Sequence, residues 1–147
     1  MAPSDAAAVG RGAIVSMKPA RKQIVVSWLP VVGLCLAIFV QSCFASPEFG
    51  PHFLLKDKVL HMAAYGLMAV LFLKACRRSW PERLSSAGWV VVSILFATLY
   101  GAGDELHQSF VSARQADGYD LLADFLGSIL GSLAYMKITY RRGVVGR

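Results

Sequence analysis

The sequence predicts an all-α integral membrane protein, a four-helix transmembrane bundle. Three observations predict it. The 147 residues are 56% apolar and only 16% charged, whereas a soluble domain carries about a quarter of its residues as charges. The apolar residues gather into four runs. The charges that remain are sorted by sign between the two sets of connecting segments.

The first run, Ile24 to Ala45, holds 22 residues without a charge, and Leu84 to Gly103 holds another 20. Both satisfy the roughly 20 residues of helix that a bilayer core requires. Val59 to Leu73 contains no Lys, Arg, Asp or Glu, and Leu121 to Met136 is interrupted only by Asp124. These two span if their polar neighbours lie at the membrane edge or face inward. The helices are expected at about 23–45, 56–76, 84–106 and 119–140. Pro30 falls in the first third of the first helix and is a candidate kink. Residues 46–53, "SPEFGPHF", contain two prolines and a glycine and read as a loop. The segment 77–83, "RRSWPER", is a short turn, with Trp80 suited to an interfacial anchor. A 23-residue leader with no clean small-residue cleavage site marks the first run as a retained span, not a signal peptide.

Charge sets the expected orientation. Twelve of the fifteen basic residues fall in the leader, the segment between helices two and three, and the C-terminal tail. Only Asp5 and Glu82 accompany them, leaving that side at +10 and the opposite side at −4. Lys and Arg accumulate on the cytoplasmic face, so both termini are expected there. The expected organisation is a flexible cytoplasmic tail over 1–22, a transmembrane domain over 23–140 and a basic tail over 141–147. The pI of about 9.5 then reflects topology and contact with anionic lipid, and no nucleic-acid partner is expected. Cys35, Cys43 and Cys76 lack disulfide or metal spacing.

Two segments opposite the basic side carry the unusual residues. In "KDKVLHMAAYG", 56–66, Asp57, His61 and Tyr65 are spaced i, i+4, i+8 and form one stripe on a helix. Tyr65 then lies about 12 Å deeper than Asp57. Lys58 flanks the stripe. The second segment, "GDELHQSFVSARQADGYD", 103–120, supplies Glu105, Gln108, Arg114 and Asp120, with Asp124 just beyond. Asp124 shares a helix face with Gly127 and Gly131, whose Gly-x-x-x-Gly spacing allows close helix approach. Ionisable groups in a bilayer are costly and turn inward or toward water, which singles out His61 and Asp124. Asp104, Lys56 and Asp117 are expected on solvated loop faces.

These two segments together resemble the VanZ-like membrane proteins. The likeness rests on Asp57, Lys58, His61 and Tyr65 in the first segment. In the second it rests on Glu105, Gln108, Arg114, Asp120, Asp124, Gly127 and Gly131. It covers about residues 24–140. Many relatives carry Asn at the position of Asp124. The resemblance implies a bacterial, integral membrane protein, placed in the plasma (inner) membrane. The family takes its name from a protein linked to resistance to the glycopeptide teicoplanin. It implies neither a defined activity nor a resistance role for this chain.

Three functions compete. In the first, the polar set acts on or binds a cell-envelope ligand, such as a lipid-linked phosphate or glycan. His61 would serve as general acid or base, because a histidine ordinarily titrates near neutral pH. Glu105 or Asp124 would orient it. Lys58 and Arg114 would clamp a phosphate or carboxylate, and Asp57, Tyr65, Gln108 and Asp120 would complete the ligand site. Any reaction would be hydrolysis or transfer at phosphorus. Asp57, His61, Glu105 and Asp120 would also suit a divalent ion, but no metal-motif spacing is present, so no metal or cofactor is expected. In the second, the same residues form an interhelical network in a non-enzymatic scaffold or accessory subunit of envelope assembly. The third, a transporter or proton pathway, would require oligomerisation, and no inverted repeat supports it.

Overall fold

The computed structural model describes residues 21–44, 55–112, 114 and 117–145. The 1–20 part of the expected tail and the 46–53 loop lie outside the described residues. The described residues form four helices, α1 (Arg21–Ser42), α2 (Lys56–Ser79), α3 (Ser86–Gln108) and α4 (Gly118–Val145). Each is long and apolar enough to cross a membrane. α1 continues through Pro30. α3 reaches two residues past its expected end, and α4 runs beyond Tyr140.

The side chains that meet define the topology. Phe72 of α2 stacks on Phe96 of α3 with ring centroids 4.0 Å apart, and Tyr65 meets Tyr100, so these helices are antiparallel. Residues 58, 61 and 66 of α2 meet 120, 124 and 131 of α4, so α2 and α4 run parallel. Among the described helices, three hydrogen bonds at three depths tie α1 to α2 and α3. Trp28 Nε1 donates to Ser79 Oγ (3.0 Å), Tyr100 Oη to the Cys35 carbonyl (2.7 Å) and Gln108 Nε2 to Ser42 Oγ (3.4 Å).

The distribution of polarity is that of a lipid-embedded bundle. Leu29, Leu36, Leu99 and Leu130 face outward, whereas Ser93, Ser128, Ser132 and Asp124 are fully buried. Without water outside, apolar surface has no reason to hide, and small or hydrogen-bonding residues line the helix contacts instead. The α2/α4 seam illustrates this. A Cβ on Gly127 would collide with the Met62 carbonyl, and one on Gly131 with the Gly66 carbonyl. The Gly-x-x-x-Gly expectation for helix four is therefore realised as backbone against backbone.

Parallel α2 and α4 place two helix N-termini side by side, and helix N-termini carry partial positive charge. Asp57 and Asp120 sit in those first turns. The opposite end carries Arg77 and Arg78 in the last turn of α2 and an aromatic cluster of Trp28, Trp80 and Trp89.

Candidate functional site

The acid-rich end is built on Lys58. One turn into α2, its Nζ reaches across to α4 and donates to Asp117 Oδ2 at 2.5 Å and Asp120 Oδ1 at 2.6 Å, with Asp57 Oδ2 at 3.7 Å. The expected role of Lys58 as a clamp for an external anion does not fit this geometry, because its charge already holds two carboxylates. Asp117 stands immediately ahead of α4. Its Oδ1 accepts the Tyr119 backbone N–H at 2.9 Å, as an N-capping side chain does. Both the Lys58 ammonium and that N–H favour the ionised carboxyl, so Asp117 titrates below the usual aspartate value.

One turn deeper, His61 Nδ1 lies 2.9 Å from Asp124 Oδ1. Asp124 is wholly buried. With the carboxylate ionised, Nδ1 carries the proton and donates it, which fixes the ring and leaves Nε2 on the opposite side. Nε2 faces Asp120 Oδ2 at 3.9 Å, beyond hydrogen-bond reach. The His61 ring lies nearly parallel to that of Tyr65 below it. Tyr65 is 2% exposed.

α3 closes the third side. Gly101 makes room for Asp124, since any Cβ there would overlap the Asp124 carboxylate. One turn on, Glu105 Oε2 accepts the Asp117 backbone N–H at 2.8 Å, tying α3 to the start of α4. Its other oxygen, Oε1, is buried without a hydrogen-bond partner, as is Asp124 Oδ2. Gln108 turns toward α1 and donates to Asp104 Oδ2 at 2.9 Å as well as to Ser42. Arg114 Nη2 donates to Gln41 Oε1 of α1 at 2.9 Å.

Lys58, His61, Asp120 and Asp124 thus form one contiguous group, with Glu105 joined to it through Asp117. Asp57 stands at its exposed rim, and Tyr65 forms its floor. Gln108 serves the α1 contact. One residue expected on a solvated loop face is placed otherwise: Asp104 is only 7% exposed, because it lies on the inward face of α3 with Gly101, Glu105 and Gln108. Asp117 does stand on the loop ahead of α4, with its side chain 38% exposed, and from there it caps α4 and pairs with Lys58. The residue the sequence reading missed is Gly101. Its signal is positional, since it lies four residues before Glu105 on the inward face of the third run.

The family model for VanZ/LLP1 matches residues 15–140. No curated protein matches the chain, and no solved structure matches it. The match spans most of the chain and contains every residue of the site just described; the protein belongs to the VanZ family.

Proposed function

We propose that this VanZ-family protein binds a lipid-linked, anionic cell-envelope ligand at the acid-rich end of its bundle. That end faces outward from a bacterial plasma membrane, and both termini are cytoplasmic. The orientation rests on the basic residues grouped at the other end.

The observation that carries the reading is the His61–Asp124 pair. A fully buried carboxylate holding an imidazole by Nδ1 leaves Nε2 as a positioned acceptor or, once protonated, a donor. His61 would hydrogen-bond a ligand hydroxyl through Nε2, and in the catalytic form of the proposal it would take that proton. Asp124 orients it, while Glu105 and Asp120 flank it. Lys58 is committed to Asp117 and Asp120, and Arg114 bonds Gln41 of α1, so Arg114 would meet the anionic part of the ligand by exchanging that contact for it.

A second reading has its own support. Lys58 bridges α2 to α4, and Glu105 bridges α3 to α4, as a scaffold's interhelical network would. The two readings separate on His61→Ala and Glu105→Gln. Wild-type protein in nanodiscs should bind polyprenyl phosphate or pyrophosphate saturably. Ligand binding should fall at least tenfold in both variants while their membrane abundance and thermal midpoint are kept. A loss that tracks protein level in both variants would favour the scaffold, and no saturable binding to wild type would overturn the ligand proposal.

A further inference from the structure

We infer that Asp57, His61 and Asp120 form a binding site for one divalent transition-metal ion, of the zinc or manganese class. One donor atom from each lies within 4.8 Å of the others. Ligands about 2.1 Å from a shared tetrahedral ion lie about 3.4 Å apart. His61 Nε2 and Asp120 Oδ2, at 3.9 Å, are within about half an ångström of that spacing. A donor separation of 4.8 Å has to close by about 1.4 Å. Asp57, with its side chain 53% exposed, has the freedom to do so.

The histidine is prepared for this role. A metal-ligating imidazole usually gives its other N–H to a carboxylate, which fixes the tautomer and raises ligand basicity. Asp124 Oδ1 accepts from Nδ1 in that way. Nε2 then lies 3.9 Å from Asp120 Oδ2, a separation that one shared cation would fill.

Lys58 does not occupy this position. It bonds Asp120 Oδ1, whereas the ion would use Oδ2, so the two oxygens of one carboxylate serve two different cations. The surroundings remain acidic even with Lys58 present, since Asp57, Glu105, Asp117, Asp120 and Asp124 gather around one lysine and one histidine. An independent feature points the same way. Glu105 is 8% exposed and its Oε1 is buried without a partner. It lies within electrostatic reach of His61, Asp120 and Asp124, where it would serve as a further ligand or as acceptor for a metal-bound water. One nitrogen with several carboxylate oxygens suits manganese or zinc better than a soft, thiolate-seeking ion. No sequence motif announces the site, because its ligands come from two helices about sixty residues apart.

The site does not depend on the lipid-linked ligand. An ion on His61 Nε2 would take the lone pair proposed to meet the ligand hydroxyl, so with the ion bound the ligand would contact the ion in place of the ring.

The test uses full-length protein in nanodiscs, stripped with chelator and titrated with Zn2+, Mn2+ and, as a spectroscopic probe, Co2+. The expected result is saturable binding of one ion per chain, with visible Co2+ bands that shift or vanish in His61→Ala. Affinity should fall at least tenfold in Asp120→Asn and Asp57→Asn. Asp57 lies at the exposed rim, so its variant keeps the test valid if the others fail to fold. Arg77→Ala, at the opposite end, should bind as wild type. The inference is overturned if wild type binds no ion saturably, or if Asp57→Asn and any folded His61 or Asp120 variant bind as tightly as wild type. Histidine 15N shifts of an imidazolium in stripped protein that added metal leaves unchanged would also overturn it, since a proton would then lie between Nε2 and Asp120.

Discussion

Asp124 is seated directly against Gly101, with no space for even a methyl group between its carboxylate and the α3 backbone. The other oxygen of the same carboxylate, Oδ1, holds His61 Nδ1 at 2.9 Å.

Gly101→Ala should therefore push Asp124 out of place and weaken its bond to His61. Overpacking of this kind costs about 1–3 kcal/mol. Gly103→Ala, two residues on, meets nothing within 4 Å and should be neutral or slightly stabilising, since alanine favours helix over glycine. Thermal unfolding of both variants in one detergent checks the contrast.

The seam between α2 and α4 should be equally intolerant. In Gly127→Ala the new methyl meets the Met62 backbone, which cannot rotate away as a side chain would. Loss of monodisperse protein, or a fall of several degrees in thermal midpoint, is expected. Gly33→Ala on α1, where nothing lies within 4 Å, should leave both unchanged.

Lys58→Met leaves the buried Asp120 carboxylate without its cation. Stranding one member of a buried pair costs about 3–5 kcal/mol. The Lys58 side chain is 23% exposed, so water compensates in part and the loss should fall below that range. Adding Asp120→Asn should recover part of it. A double-mutant cycle on thermal stability measures the coupling.

The Lys58–Asp117 pair also predicts an acid response. Asp117 titrates below its ordinary value of 3.8 in the folded protein. Its contribution to stability is therefore complete above that ordinary value and is lost as pH falls through the depressed folded value. Comparing wild type with Asp117→Asn from pH 6 down to pH 2.5 should show a gap at high pH that closes below about pH 4. A gap that widens on acidification would contradict the pairing.

For topology, a reporter fused after residue 147 should read cytoplasmic, and one placed in the 46–53 segment should read external.

The four spans were legible because each is a run of uncharged residues matched to a bilayer, and observed boundaries fall within a few residues of the expected ones. The Asp57–His61–Tyr65 stripe followed from helical spacing alone. Less legible was anything that depended on where a helix stops. The run "YGAGDELHQ" does not reveal that α3 continues to Gln108, nor that Asp104 lies on its inward face, where Gln108 donates to it. Asp117 is the loop residue it reads as, but its pairing was hidden, because Lys58 lies 59 residues away. Lys58 itself was expected to face a ligand, since sequence spacing cannot show that two carboxylates of α4 arrive to neutralise it. Gly101 became meaningful only when Asp124 was found pressed against it.

The parallel pairing of α2 with α4 has a consequence for biosynthesis. α2 leaves the ribosome with His61, Lys58 and the bare Gly66 backbone on one face, and their partners are not made until some sixty residues later. Until α4 is inserted, that face has only α3, α1, lipid or the insertion machinery beside it. The last helix therefore completes the structure, and a chain cut short after α3 should be recognised and degraded by membrane quality control.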